Sequence, residues 1–490
     1  MSERGVREKW SNCIGNQQAF PVRLFRPTTL AEIINIIKLA EGENRKVRAV
    51  GSGHSFSDIA VTDDFLVDTH GLNKVLALET DTLKESAKSL TLVEVECGIT
   101  IADVNAALDR MGLALINMGA HTAQTVVGAL STSTHGSGIS LGSAASFVRS
   151  IVVVASGGKV YRIEPASGIT DPEKFKSKHA DVELVQDDDW FNSVVIGLGC
   201  MGVVYSVTLQ VRDKYWLRES RTVSKWSQVK AELLKGDVLR NNRHYEVLVN
   251  PYEFNGDHTC LLTIRNEIPE PNDPDPEKRN RSHLSVGLSF FPHPLIRFTG
   301  KLISFKNRLF PGSIPKTIED SIKSLADPEY DALSYRVLDL GAPNYVAAYS
   351  SELALAVADN SYIAAAEKII EIAERNRATK NIYHTVPFSL RFVAKHDLYF
   401  SMMYGRETCM IEVPMLDPTA GGMEILREIE EALIDLGARP HWGQIHYLAG
   451  GSGLIRKMYP MFDKWIAVRK VLNSSGVFNS RFSQRSGFDA

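Results

Sequence analysis

Arg48 to Asp58 reads RAVGSGHSFSD, two glycines and a histidine crowded into a turn that follows a short apolar run. KVRAV (46–50) and DFLVDT (64–69) read as short strands on either side of it. Three common glycine-loop signatures fail on spacing. A dinucleotide fingerprint needs a third glycine three residues after the second, but Phe56 stands there and no helix signal follows. An ATPase phosphate loop needs Gly-Lys-Ser/Thr, which is absent. A hydrolase nucleophile elbow needs Gly-x-Ser-x-Gly, and Gly53-His54-Ser55-Phe56-Ser57 closes on serine. What remains is a backbone that turns sharply at Gly51 and Gly53 and offers several N–H groups to an anion without needing a lysine.

Outward from this loop, the first two hundred residues alternate strand and helix signals. RPTTLAEIINIIKLAEG (26–42) has Thr29 and Glu32 at capping-box spacing, apolar residues at helical intervals and a stop at Gly42. TIADVNAALDRMG (100–112) repeats the formula, with Thr100 and Asp103 at its start and Gly112 at its end. SLTLVEVECG (89–98) reads as a strand. FVRSIVVVASGGKVYRI (147–163) reads as a buried strand, a Gly-Gly turn and a return strand, and IGLGCMGVVYSVTLQV (196–211) as a glycine-punctuated lead into another strand. The proline and charge density of RNEIPEPNDPDPEKRNR (265–281) predicts an exposed loop. Beyond it, YIAAAEKIIEIAERNR (362–377) and GGMEILREIEEALIDLG (421–437) are amphipathic helices flanking the strands FSLRFVA (388–394) and ETCMIEVPML (407–416). The fold class expected is α+β, with no internal repeat.

Composition narrows the partners. At 490 residues the chain exceeds one compact core and predicts two or three domains. With 44% hydrophobic and 23% charged residues it is neither disordered nor fibrous, and a net charge of −3 gives no reason to expect a nucleic-acid polymer. The five cysteines (Cys13, Cys97, Cys200, Cys260, Cys409) are far apart and odd in number, which argues against a disulfide framework and a thiolate metal cluster and for a reducing compartment. The charged N-terminus MSERGVREKW and the lack of an 18-residue apolar run predict a soluble, cytoplasmic protein. Leu284 to Phe310 is apolar, aromatic and basic, and is expected to be a packed flap or interdomain surface rather than a membrane contact.

A second glycine-rich stretch, NMGAHTAQTVVGALSTSTHGSGISLGS (117–143), combines hydroxyls, small residues and almost no charge, which suits wrapping a large flat ligand through the backbone. Its apolar spacing, Met118, Val126, Val127 and Leu130, argues against a disordered linker. Metal binding is not expected: the histidines are dispersed, and His441 and His446 are five apart with no acidic or cysteine partner at ligand spacing.

VRAVGSGHSFSDIAVTDDFLVDTHGLNKVL, GLALINMGAHTAQTVVGALSTSTHGSG, IGLGCMGVVYSVTLQV and RPHWGQIHYL, in this order, resemble the aldonolactone and alditol oxidases of the vanillyl-alcohol oxidase flavoprotein superfamily. The resemblance spans nearly the whole chain. It implies an FAD-binding domain over 1–211, a substrate domain with an antiparallel sheet over 212–438, and a segment, 439–490, returning to the flavin. It places covalent FAD attachment on His54 and pyrophosphate contacts on Val50, Gly51, Ser52, Gly53 and Ser55. Thr125, Gly128, Thr132, Ser133, His135, Gly136, Val204 and His441 are implied to line the rest of the cofactor, with Ala120 in the stretch beside the flavin. Gly119 falls where the family gates dioxygen with a small side chain, which implies an oxidase releasing hydrogen peroxide.

The substrate side departs from that pattern. The alditol branch carries Glu-x-Arg and HWGK. Here Ser389 replaces the glutamate, Arg391 is kept, and Gln444 replaces the lysine. Arg391 is expected to stabilise a developing alkoxide and Gln444 to orient a hydroxyl, with Glu412 or His446 as replacement base. The expected activity is hydride removal from the CH–OH of a sugar-like alcohol: an aldonolactone, an alditol or the ribose of a nucleoside. Rival readings are a flavin dehydrogenase passing electrons to a quinone or cytochrome, and a noncatalytic nucleotide-binding scaffold.

Overall fold

The computed structural model describes residues 8–272, 306–307, 309–340, 348–449 and 453–489. Most of the Leu284 to Phe310 stretch lies outside these residues.

The opening loop leaves a small parallel sheet, β1 (Arg23–Phe25), β2 (Val47–Val50) and β3 (Phe65–Asp68), in the order β1-β3-β2. Helix α1 (Leu30–Gly42) connects its first two strands. Thr29 and Glu32 form the expected capping box and Ile33, Ile36, Ile37 and Ala40 are buried. A six-stranded sheet lies next in the chain, from β4 (Val75–Leu76), β5 (Leu92–Glu96), β6 (Val148–Val154), β7 (Val160–Glu164), β8 (Val182–Gln186) and β9 (Val203–Gln210), ordered β8-β7-β6-β9-β5-β4. The expected hairpin pairs Val154 with Val160, and Gly157 and Gly158 turn it at φ 73° and 69°, a region glycine adopts without a Cβ penalty. Helix α2 (Ile101–Arg110) begins at Thr100, whose side chain accepts from the Asp103 N–H.

The third sheet has eight strands: β10 (Trp216–Lys225), β11 (His244–Phe254), β12 (Asp257–Ile268), β13 (Asp327–Leu333), β14 (Ala348–Ala356), β15 (Phe388–Val393), β16 (Thr408–Leu416) and β17 (Arg439–Pro440). Their order is β13-β10-β12-β11-β15-β16-β14-β17, all antiparallel. Strand β12 runs to Ile268, so the loop expected from Arg265 starts four residues later. Pairing with β10 over Trp216–Lys225 overrides the local charge density.

The last segment turns back on the first half. The Val47 N–H donates to the Val477 carbonyl, the Trp465 indole donates to Ile196 O, and Arg485 pairs with Asp58 at 2.6 Å. Trp442, Tyr459, Trp465 and Phe488 join the core of the first half, where Phe400 stacks on Trp465 at 4.3 Å. No helix among the described residues is long and apolar enough to cross a membrane.

Candidate functional site

Strands of the three larger sheets contribute to one cleft holding about 1550 Å³ of empty space, part of it open to solvent. Val50, Gly51, Ser52, Gly53, His54 and Ser55 form one wall. Ala120, Thr125, Gly128, Thr132, His135, Val204 and His441 are also on the lining.

The cradle is built by close approach. A Cβ on Gly51 would stand 2.0 Å from Thr125 Oγ1, and one on Gly128 would stand 2.7 Å from the same atom. The first glycine loop therefore lies against the second, whose 126–131 part is a short helix, α3 (Val126–Ser131), where only a loop was expected. Sequence reasoning left most of a third wall unassigned. Gly197, Leu198, Gly199, Met201 and Gly202 line the cleft, and the spacing of GLGCMG was the available signal. Arg48 holds this wall from behind: buried, it donates to the carbonyls of Gly199 (2.7 Å), Leu198 (3.1 Å) and Ile59.

Gly119, Ser133, Gly136, Ser389 and His446 are not on the lining. Ser133, at φ 59°, turns its hydroxyl toward Ser401 at 3.0 Å. A Cβ on Gly136 would meet the Met118 carbonyl at 2.2 Å, so this glycine lets two backbones cross. Gly119 likewise backs onto the His135 carbonyl, with its nearest Cβ contact at 3.2 Å. The His446 ring sits edge-on to Trp442 and Phe482 with neither nitrogen hydrogen-bonded among the described residues, and burial pushes it down to about 3.

The cleft also has a charged part, on strands β14, β15 and β16 and the segment after β17. Arg391 Nη2 stands 3.0 Å from Glu412 Oε2 and Nη1 stands 3.8 Å from Glu352 Oε1. Gln444 Oε1 accepts the Ser350 hydroxyl at 2.7 Å, and that hydroxyl also lies 3.3 Å from Glu412 Oε1. Glu352, also on the lining, was not singled out from sequence, although it is the one charge in the apolar alternation YSSELALA (349–356). Its Oε1 lies 3.2 Å from His135 Nε2, while His135 Nδ1 reaches the Gly136 carbonyl at 2.8 Å. Burial opposes charge at Glu352, but His135, His441 and Arg391 overcome it and hold the carboxyl down to about 2. Burial likewise opposes the His135 imidazolium, and Glu352 outweighs it, so the His135 pKa is raised.

His135, Glu352 and His441 place their ligand atoms within 4.8 Å of one another, a grouping that wide sequence separation hid. The His441 Nδ1 accepts the Gly443 N–H at 3.0 Å, and His135 has Nδ1 on the Gly136 carbonyl and Nε2 facing Glu352. His54 and His121 complete the lining between the glycine loop and Arg391, and burial lowers His54 to about 4 with His121 adding to the effect.

A family model described as an FAD binding domain matches residues 21–164, and one described as D-arabinono-1,4-lactone oxidase matches 207–486. The chain is 28% identical over 481 residues, 97% of this chain and 98% of the other, to an L-gulono-1,4-lactone dehydrogenase of Mycobacterium tuberculosis. It is 26% identical over 499 residues, 98% of each chain, to an L-gulonolactone oxidase of Mus musculus. Among solved structures, a solvent-stable cholesterol oxidase superposes with TM-score 0.75 at 15% identity, covering 98% of this chain and 97% of that one.

Proposed function

Since the chain belongs to the D-arabinono-1,4-lactone oxidase family and is an FAD-dependent oxidoreductase, we propose that it oxidises a CH–OH group of a neutral sugar-like alcohol, an aldonolactone foremost, with FAD bound covalently through His54 and dioxygen reduced to hydrogen peroxide. One observation carries the reading: Arg391, Glu412 and Gln444 converge at one end of a cleft whose other walls are the glycine loops around His54. Family membership overturns the noncatalytic scaffold.

The residues fit the cofactor. Gly51 and Gly128 keep Cβ atoms out of a space bounded by Thr125, and the Gly51 to Ser55 backbone is available to a pyrophosphate. His54, held neutral by burial, keeps the nucleophilic lone pair that a covalent tether needs. When bound, FAD supplies the acceptor for the substrate hydride and hands the electrons on.

The protein's own residues do the rest. Arg391 is a permanent cation whose pKa is raised by Glu412, Glu246 and Glu352 against burial, and it stabilises the alkoxide that develops as the hydroxyl is polarised. Gln444, its carbonyl occupied by Ser350, presents its amide N–H groups to a substrate oxygen. Glu412 restores the carboxylate missing at Ser389. Glu352 and Glu412 already face Arg391, which suits a neutral polyol or lactone better than a sugar acid. Alditols and nucleoside riboses satisfy the same groups and belong in the substrate range to be tested.

A peroxide-coupled screen of aldonolactones, alditols, sugars and nucleosides tests this reading. Turnover with sugar-like alcohols is expected, aldonolactones first, with peroxide matching substrate consumed. A flat response to all four classes overturns it. Turnover with a quinone or dye but no peroxide under air moves the acceptor to that of a dehydrogenase, the activity named for the mycobacterial relative.

A further inference from the structure

We propose that His121 is the catalytic base that takes the proton of the substrate hydroxyl. The inference rests on the alcohol oxidation proposed above and supplies its missing proton acceptor.

His54 is committed to the cofactor tether. His135 is engaged at both ring nitrogens, by Gly136 O and Glu352. The His441 Nδ1 accepts a backbone N–H. Glu352 faces both His135 and Arg391, and Glu412 has one oxygen on Arg391 and the other beside the Ser350 hydroxyl. His121 differs: it lines the cleft, and no hydrogen bond to it is found among the described residues.

Its backbone is nevertheless fixed on both sides. The Leu340 N–H donates to the Ala120 carbonyl at 3.0 Å, the Thr122 hydroxyl bonds Asp339 at 3.0 Å, and the Ala102 N–H donates to the Thr122 carbonyl at 2.9 Å. The ring is therefore held at the cleft while its nitrogens stay available, the condition a general base needs. Four groups act on it electrostatically: His54 from the glycine loop, Arg391 from β15, Glu412 from β16 and Asp339. Burial and Arg391 favour the neutral, proton-accepting ring, while Glu412 and Asp339 stabilise the imidazolium once formed.

The step balances. The substrate O–H bond breaks and its proton bonds to a ring nitrogen of His121. The O–H electron pair becomes the second C–O bond of the carbonyl product, and the C–H pair departs with its hydrogen as hydride to the oxidised FAD. Arg391 holds the oxygen throughout, and Glu412 offsets the charge gained by the ring. His121 thus takes on the proton transfer for which the lysine replaced by Gln444 and the glutamate replaced by Ser389 are no longer present.

The test is stopped-flow reduction of the flavin-loaded wild type, His121→Gln and His121→Ala between pH 5 and 9, with the aldonolactone that reduces the wild type fastest. Expected are equal covalent flavin contents, a reduction rate about 10²–10⁴-fold lower at neutral pH in both variants, loss of the wild type's acid limb, and partial rescue of His121→Ala by added imidazole. His121→Gln reduction within a few-fold of wild type with the same acid limb overturns the assignment and leaves the alcohol oxidation standing. No reduction of the wild type by any aldonolactone, alditol, sugar or nucleoside overturns both.

Discussion

Ser389 and Glu412 are register partners on adjacent antiparallel strands, and Glu412 Oε2 stands 3.0 Å from Arg391, two residues along from Ser389. A carboxylate absent from one strand is therefore present on its neighbour, and it serves the same guanidinium. Directly opposed side chains on a sheet share a face, so both positions lie on the face that carries Arg391. Glu352 is the next member of that row, paired with Glu412 on β14.

Glu412→Ser is expected to lower the flavin reduction rate by about 10²-fold, the scale of removing one preorganised electrostatic partner. The exchanged variant Ser389→Glu/Glu412→Ser should recover part of that loss, because it returns a carboxylate to the same face beside Arg391. Rapid-reaction kinetics on flavin-loaded protein reads both. An exchanged variant no faster than Glu412→Ser would show that Arg391 needs its carboxylate on β16.

His54→Ala should bind FAD without holding it. Acid precipitation is expected to leave the wild-type pellet yellow and to release the variant's flavin into the supernatant. Flavin retained in the variant pellet would place the attachment on another residue.

At Gly51 any side chain collides with Thr125. The 2.0 Å approach of a Cβ to the Thr125 hydroxyl forces the two glycine loops apart, an overpacking that costs about 1–3 kcal/mol. Gly51→Ala is expected to lose most of its flavin and to melt several degrees lower, read by absorbance ratio and calorimetry. Full flavin loading would mean that the loops part easily.

Glu430, which is not on the cleft lining, gives a pH dependence of stability. Buried on α4 (Gly422–Ile434), it accepts the Tyr447 N–H with one oxygen while the other has no hydrogen-bond partner among the described residues. Burial raises its carboxyl from 4.5 to about 7, opposed by the Tyr447 N–H and Arg485. A carboxyl raised in the folded state contributes its stability fully below its unfolded value and loses it as pH rises through the folded value. Stability should therefore fall between about pH 4.5 and 7, by up to about 3 kcal/mol at 1.36 kcal/mol per unit. Glu430→Gln keeps an acceptor for Tyr447 and removes the titration. Its melting temperature relative to wild type should climb across that window, and a constant difference from pH 4.5 to 8 would contradict the assignment.

The chain's local signals determined a great deal. The capping box of Thr29 and Glu32, the Thr100 cap, the Gly157-Gly158 turn and the period-two strands all act within a few residues, so the sequence specifies them directly. The glycine loops and the motif order marked the FAD-binding half in the same way. Tertiary structure decided the chemistry at the other end. The meeting of His135, Glu352 and His441, the placement of Glu412 beside Arg391, and the turning of Ser133 and His446 away from the cleft depend on strand order and register in the eight-stranded sheet and on the return of the last segment. No local spacing encodes these contacts, which join different strands and loops between about twenty and three hundred positions apart. They form because burying the apolar faces of that sheet fixes its strand order and register, and with them which charged side chains face one another.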